Sequence, residues 1–398
     1  MKSDKLRPGI FVGFVKVFLL YIFFEYFLSG LSENGTYQYF IKFLGDGLLV
    51  IFVLLTLVKV KRLAIYRGQK VSIILFFVLI AAISAIANEL TALDVFLGVR
   101  SLLRYYTIYF LSYYYDIRED SFKKISRFIV TSFYFEIVIF AINYFVYEKI
   151  SVLSQGYLPM AMYLNAVAAL ILYENRFSLM DMLVLSLVVM QSILSTSRLA
   201  VLGLSVQVMI YVVLNRKRLN AKIYAIGAII LISLIFIALM PSEETKSEVL
   251  EKVKGTKLDA GPESNFRLYL LSRFIRISLE RPNLIGDGPN TFGSPYSRLN
   301  REEYYYNYGF DPSQIRYTSD SDFTSLLMQL GFIGVITYFL FIYLLYRETR
   351  QEYRGLILLY MSSMLIGLFA IPVLSMRISS FAMFVLIALT HRGANSND

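Results

Sequence analysis

The sequence predicts an all-α, polytopic integral membrane protein of about twelve transmembrane helices with one large extracytoplasmic loop containing helices. Three observations carry that expectation. Of 398 residues, 57% are hydrophobic and only 17% charged, where a soluble domain carries closer to a quarter charged residues. Apolar stretches of spanning length recur along the whole chain. They are interrupted once, from Pro241 to Ser321, by a polar segment far too long to be a simple connector.

The apolar stretches run over approximately 10–31, 38–58, 71–90, 96–115, 128–147, 157–173, 178–194, 199–214, 223–240, 322–346, 355–372 and 374–390. The first follows a basic start but has no small-residue cleavage site, so it reads as a retained anchor. Alternate connections differ sharply in charge. One set holds Lys2, Lys5, Arg7, Lys59, Lys61, Arg62, Arg67, Lys70, Arg118, Lys123, Lys124, Arg127, Arg176, Arg216, Lys217, Arg218, Lys222, Arg347, Arg350, Arg354 and Arg392. The opposite short connections hold only Lys149, Arg198 and Arg377. Basic residues stay on the cytoplasmic side, so both termini are expected inside and residues 241–321 outside. The chain then divides into 1–240 with nine spans, the loop 241–321, and 322–398 with three spans and a cytoplasmic tail.

Composition removes several chemistries. There is no Cys, which excludes disulfides, thiolate nucleophiles and Cys-ligated metals. The single histidine, His391, lies on the tail, so a His base or His metal cluster is not expected. With 31 Tyr, 32 Phe and no Trp, tyrosine must supply the interfacial belts. The net charge of +10 follows the positional bias of Lys and Arg and gives no reason to expect nucleic acid.

The polar insert is not a linker. Residues 265–277 have helical apolar spacing, with Gly261-Pro262 as a start and Pro282 as a stop. More than one face of that helix is apolar, so it is expected to pack on the membrane domain. Turn residues follow in Ile285-Gly286-Asp287-Gly288-Pro289-Asn290, whose glycines either mark a turn or leave N–H groups bare for a phosphate. Then come Tyr304-Tyr305-Tyr306-Asn307-Tyr308, read as interfacial packing or as a surface for sugar stacking.

Charges near the outer ends of spans are the chemical content. Arg100 and Arg104, four apart, share one helix face. Arg198 closes the turn Ser195-Thr196-Ser197, Arg377 precedes the last span, and Lys42 begins the second. Arg267, Arg273 and Arg276 lie just beyond the leaflet. Each such arginine has a bland reading as a snorkelling anchor. Their convergence on one leaflet instead asks for an anion, and guanidinium forks suit phosphate oxygens. Glu25, Asp46, Glu89, Glu136 and Asp181 read as structural counter-ions.

Three places resemble the O-antigen polymerase and O-antigen ligase superfamily of bacterial envelope glycosyltransferases. They are Ser195-Thr196-Ser197-Arg198-Leu199-Ala200, the run from Arg267 through Ile285-Gly286-Asp287-Gly288-Pro289-Asn290-Thr291-Phe292, and Asp320-Ser321-Asp322-Phe323 leading to Gly331-Phe332-Ile333-Gly334. The similarity covers approximately 180–350 by motif. Ligases carry a His at the end of the loop; this chain has Asp320 and Asp322 there, which favours the polymerase branch.

The resemblance implies an enzyme of the bacterial cytoplasmic membrane, multi-pass, acting at its outer face on polyprenyl-pyrophosphate-linked oligosaccharides for lipopolysaccharide, capsule or exopolysaccharide. A growing glycan would pass from its carrier to another lipid-linked repeat unit, by an inverting transfer without metal or other cofactor. On that reading Arg198, Arg267, Asp320 and Asp322 are the catalytic candidates, and Arg100, Arg104, Arg273, Arg276 and Arg377 the substrate-binding ones. Partners would be the lipid-linked glycans, the bilayer, and a flippase and chain-length regulator of the same pathway. The alternatives are a ligase moving finished glycan to a lipid or protein acceptor, and a flippase or other transporter. A two-halved carrier often has a long cytoplasmic link between spans six and seven. Here that link is only Glu174-Asn175-Arg176-Phe177.

Overall fold

The structure, a computed structural model, describes residues 6–31, 35–60, 69–147, 157–174, 178–194, 198–215, 266–280, 282–292, 297, 300–307, 322–370 and 377–390. In chain order the helices are α1 (Pro8–Leu31), α2 (Gly35–Lys59), α3 (Gln69–Ala87), α4 (Ala92–Leu103), α5 (Tyr106–Ser112), α6 (Glu119–Tyr147) and α7 (Tyr157–Glu174). They continue with α8 (Leu179–Leu194), α9 (Arg198–Leu214), α10 (Phe266–Glu280), α11 (Glu302–Asn307), α12 (Asp322–Arg347), α13 (Arg354–Ala370) and α14 (Arg377–Thr390). The fold is all-helical; among the described residues the only bridge is an isolated one, Leu6 with Tyr115.

Helices α7 and α14 form the centre. Residues 162–172 and 381–389 are buried on every side, as expected of helices apolar all round. α9 and α13 pack on each other and on α7; α14 packs on α5 and α7; α12 lies along α3. Gly203 lets α9 approach closely, since a Cβ there would meet Asn165 of α7 at 2.3 Å and Ser363 of α13 at 3.1 Å. On the outside, Leu75, Phe76, Leu79, Ile83, Phe135, Met209, Val213, Ile336 and Leu340 stand exposed. Exposed apolar faces on so many helices are unlike a soluble surface and fit a lipid-facing belt.

The helices coincide with eleven of the apolar stretches, and the stretch 223–240 lies outside the described residues. The stretch 96–115 is not one helix: it breaks at Arg104-Tyr105 into α4 and α5. Among the described residues one helix, Phe323–Arg347, is long and apolar enough to cross a membrane; several shorter apolar helices accompany it.

The bundle has two distinct ends. At one, which we term basal, Leu6 N–H donates to Tyr114 (2.8 Å), Arg350 N–H to Thr390 (2.9 Å), and Tyr173 Oη to the Glu352 carbonyl (2.9 Å). At the other, residues 282–292 sit between the end of α3, the start of α4 and the first turns of α12. The loop helix α10 packs against α12 and α13, as its apolar faces predict.

Candidate functional site

The loop end is built round a break in α12. Gly331 has φ +65° and ψ −168°, a conformation that side chains other than glycine's rarely allow. A continuous helix would pair Phe332 N–H with Met328 and Ile333 N–H with Gln329. Here those four groups turn to the loop instead. Phe332 and Ile333 donate to the carbonyls of Asn283 (3.4 Å) and Leu284 (3.1 Å). The carbonyls of Met328 and Gln329 accept from Asp287 (2.8 Å) and Gly288 (3.0 Å). Two helical bonds are thus exchanged for four between segments, and the four backbone groups that the break would orphan all find partners.

Side chains lock the exchange. Asn283 Oδ1 accepts from Gly286 N–H (2.9 Å), and Gln329 Oε1 from Asn290 N–H (2.8 Å). Gln329 Nε2 donates to the Phe292 carbonyl. Ser84 Oγ of α3 and Asn88 Nδ2 just after it donate to the Gly286 carbonyl at 3.1 and 3.2 Å. There is no room for more. A Cβ on Gly286 would lie 2.3 Å from the Gln329 backbone, one on Gly331 2.4 Å from the Leu284 backbone, and one on Gly98 2.6 Å from Pro289. The N–H groups of Gly286, Asp287, Gly288 and Asn290 are therefore engaged within the protein, and the turn is not a phosphate cradle. Further out, Phe292 stacks on buried Tyr305 (4.7 Å) and meets Phe274 of α10 edge-on (4.9 Å). Tyr305 Oη bonds Ser297 Oγ at 2.9 Å. Tyr305 of the tyrosine run is thus core, while Tyr306 is exposed.

A buried ion pair ties the next segment down. Thr91 and Asp94 form a capping box at the start of α4, and Arg301 Nη2 reaches Asp94 Oδ2 at 2.8 Å. The Asp94 side chain is 1% exposed. Burial raises its pKa, but the hydrogen bonds from Thr91 and Arg301 and the arginine's charge outweigh that and hold it below the usual carboxylate value.

Arg100 and Arg104 do share a face. Both engage Asp46 of α2, one guanidinium on each carboxylate oxygen. Asp46 lies thirteen residues, about 20 Å of helix, from the basal end of α2 at Lys59. Asp46 is a counter-ion as expected; Asp181 instead caps α8 with Ser178, Glu136 takes the Gln191 amide, and Glu89 is exposed. On α10, Arg276 is exposed and pairs with Glu280 at 2.8 Å, while Arg273 is half-buried.

Asp320 lies outside the described residues, and only the backbone of Arg198, Arg267, Asp322 and Arg377 is described. That backbone is informative. Leu214, ending α9, lies beside Gly355 near the basal end, where a Cβ on Gly355 would meet its Cδ1 at 3.8 Å, so Arg198 starts α9 at the loop end. Thr390 ends α14 at the basal end, so Arg377 also starts at the loop end. Asp322 opens the helix whose break holds the loop, and Arg267 is the second residue of α10. Arg198, Asp322 and Arg377 therefore share one end of the bundle. Arg100 and Arg104 stand apart on α4, facing α2.

Residues 182–339 match the O-antigen ligase family model. The match supports the O-antigen polymerase and ligase superfamily. It begins in α8, ends in α12, and encloses the turn before Arg198, the loop and the break at Gly331. Proteins of this family are membrane proteins and glycosyltransferase-like enzymes of O-antigen and polysaccharide synthesis. No curated protein matches the chain.

Within the residues that match the O-antigen ligase model, Gly286, Gly288 and Gly331 stand out in the sequence, but not the fact that their two motifs bind each other. Nor do Asn283, Gln329 and Arg301, or Ser84, Asn88 and Asp94 outside the match, stand out as the residues that hold them. For Asp94 a signal was legible: Thr91 and Asp94 three apart, ahead of an apolar run, are a capping-box signature.

Proposed function

We propose that the protein polymerises polysaccharide repeat units, transferring a growing glycan from polyprenyl pyrophosphate to another lipid-linked unit at the outer face of the bacterial cytoplasmic membrane. One observation carries the reading. The family match encloses a loop interlocked with α12, at the bundle end where α9, α12 and α14 begin with Arg198, Asp322 and Arg377. Arginines there suit a leaving pyrophosphate. Their donors would stabilise the negative charge that develops as the glycosidic bond breaks. Arg267, Arg273 and Arg276, on the loop helix, would close over the lipid-linked substrate. Asp320 or Asp322 would orient the acceptor hydroxyl or take its proton, a carboxylate being the available base where the only histidine is on the tail.

On this reading the fold has about twelve spans, divided as 1–240, 241–321 and 322–398, with both termini cytoplasmic. Support comes from the basal end. Connections that the basic-residue bias assigns to the cytoplasm, those at Leu6, Tyr115–Arg118, Tyr173 and Arg347–Arg354, meet one another there. The transfer is inverting and metal-independent, with a flippase and a chain-length regulator as pathway partners.

The test is purified protein given a synthetic polyprenyl-pyrophosphate repeat unit. Products two or more repeats long, with release of polyprenyl pyrophosphate, are expected. Transfer only of preformed polymer to a lipid or protein acceptor would indicate a ligase. In cells, a deletion that leaves single-unit glycans on the surface supports polymerisation; a deletion that removes all surface glycan supports a flippase.

A further inference from the structure

We propose that Arg100 and Arg104 of α4 bind the phosphate of a lipid at the α2–α4 face, apart from the helix starts that carry Arg198, Asp322 and Arg377, and that Asp46 is the resting counter-ion this phosphate displaces. The inference deepens the polymerase reading and rests on it only for which lipid is bound.

The charges give the first argument. Among the described residues two guanidiniums share one carboxylate, so the cluster keeps one excess positive charge well inside the span of α2. An unbalanced cation in that setting is costly unless an anion reaches it. The donors give the second. Each arginine meets Asp46 through Nη2, and among the described residues Arg104 Nε is buried without a hydrogen-bond acceptor. An unmet guanidinium donor beside a partly exposed partner is what a two-point phosphate contact would satisfy.

The surroundings identify a lipid. Leu93, Phe96 and Arg100, spaced three and four apart, form one exposed face of α4. On α2, Leu44 and Val50 are exposed on either side of Asp46 in sequence. An anion held there lies among apolar side chains that an acyl or isoprenoid chain can cover. The position is separate from the loop interlock. Arg100 lies two residues beyond Gly98, hence about 200° round α4 from the side that abuts Pro289. The main packing neighbours of α2 and α4 are α1 and α3, whereas α9 packs on α7, α8 and α13.

The chemistry has two sources, a polyprenyl pyrophosphate or an anionic glycerophospholipid of the bilayer. The experiment uses the full chain in phosphatidylcholine nanodiscs and counts retained lipid by native mass spectrometry. Polyprenyl pyrophosphate, phosphatidylglycerol and further phosphatidylcholine are titrated in separate arms. Wild-type protein is expected to retain a phosphate-bearing anionic lipid over phosphatidylcholine. Preference for the pyrophosphate identifies a second substrate seat, and equal retention of phosphatidylglycerol identifies a site for bilayer lipid. Arg100→Gln with Arg104→Gln should lower retention about ten-fold or more. If that double variant does not insert, Arg100→Gln alone serves, its side chain being 42% exposed. Asp46→Asn should raise retention several-fold by removing the competitor. Undiminished retention in the arginine variants would overturn the site, and reduced retention in Asp46→Asn would overturn the displacement. The readout is lipid bound, so absence of polymerase activity leaves the result intact.

Discussion

The amide of Gly288 donates to the Gln329 carbonyl at 3.0 Å, the acceptor that Ile333 would use if α12 were unbroken. Gly288 belongs to the polar loop and Gln329 to the helix that follows it. Their bond makes the position of the loop a property of the helix, because the loop supplies the partners that α12 lacks at Gly331. Irregular backbone is tolerated at membrane depth only where protein satisfies it. The same exchange therefore permits the break and anchors the chain on either side of it, from Asn283 back to α10 and from Met328 back to Asp322.

Gly331→Ala should lower stability by about 3 kcal/mol, since the new methyl meets the Leu284 backbone and the positive φ is strained. Gly355→Ala is the control, a helical glycine where a Cβ would meet nothing nearer than Leu214 Cδ1 at 3.8 Å. Melting of purified protein in detergent should show a large fall for the first and little change for the second. Equal melting temperatures would mean that the break is not needed for the fold.

Arg301→Met should free the segment round Arg301 from α4 by leaving the buried Asp94 carboxylate without its cation, a loss of about 3 kcal/mol. Limited proteolysis of the loop is the readout. The pH dependence follows from the lowered pKa of Asp94. A depressed carboxylate contributes stability above its ordinary titration range, and that stability is lost as pH falls through the lower folded value. Protection of the loop in wild-type protein should therefore persist at neutral pH and fail in strong acid. Arg301→Met should be cut readily at neutral pH; cutting no faster than wild type would show that the pair does not hold the loop.

Much of the fold was legible because apolar stretch length and period depend on local sequence alone. The helical run at 265–277 and its packing on the membrane domain were readable for the same reason. The break at Arg104-Tyr105 was not, since the run has no Pro and its one glycine, Gly98, lies more than a turn before the break. The exchange at Gly331 was hidden for a different reason. Its bonds join backbone groups some forty-five residues apart in sequence, and backbone leaves no trace of its partner in residue type. Gly286 and Gly331 recorded only that something passes close. The basic-residue bias already put Arg198 and Arg377 on one leaflet together with Arg100 and Arg104; that the second pair stands apart, facing α2, needed the helix packing.

Sidedness can be read by chemistry in intact cells, and the absence of native Cys makes the background clean. Cysteines placed at Gly255 and Asn300 should react with a membrane-impermeant reagent, in spheroplasts where an outer membrane blocks access. One at Asn215 should react only after lysis. The reverse pattern would put the loop in the cytoplasm and remove the outer-face reaction.

Arg198→Ala and Arg267→Ala should each lower polymer yield by about a hundred-fold or more, the scale expected when a donor to developing charge is removed from a protected site. Arg→Lys at either position should recover little, because an ammonium cannot reproduce two-point contact with phosphate oxygens. The same assay with and without EDTA addresses the metal. The expectation of metal independence rests on the lack of Cys and the placement of the only His on the tail. Mg²⁺ accepts carboxylate oxygens, so activity that disappears with EDTA and returns with Mg²⁺ would assign part of the charge to a cation held by groups such as Asp320 and Asp322. Activity unchanged by EDTA and abolished in both alanine variants would leave the arginines as the groups that meet the pyrophosphate. Wild-type yield in both variants would make them headgroup anchors, and the charge on the leaving group would have to be met from elsewhere at the loop end, with Arg377 at the start of α14 the next residue to replace.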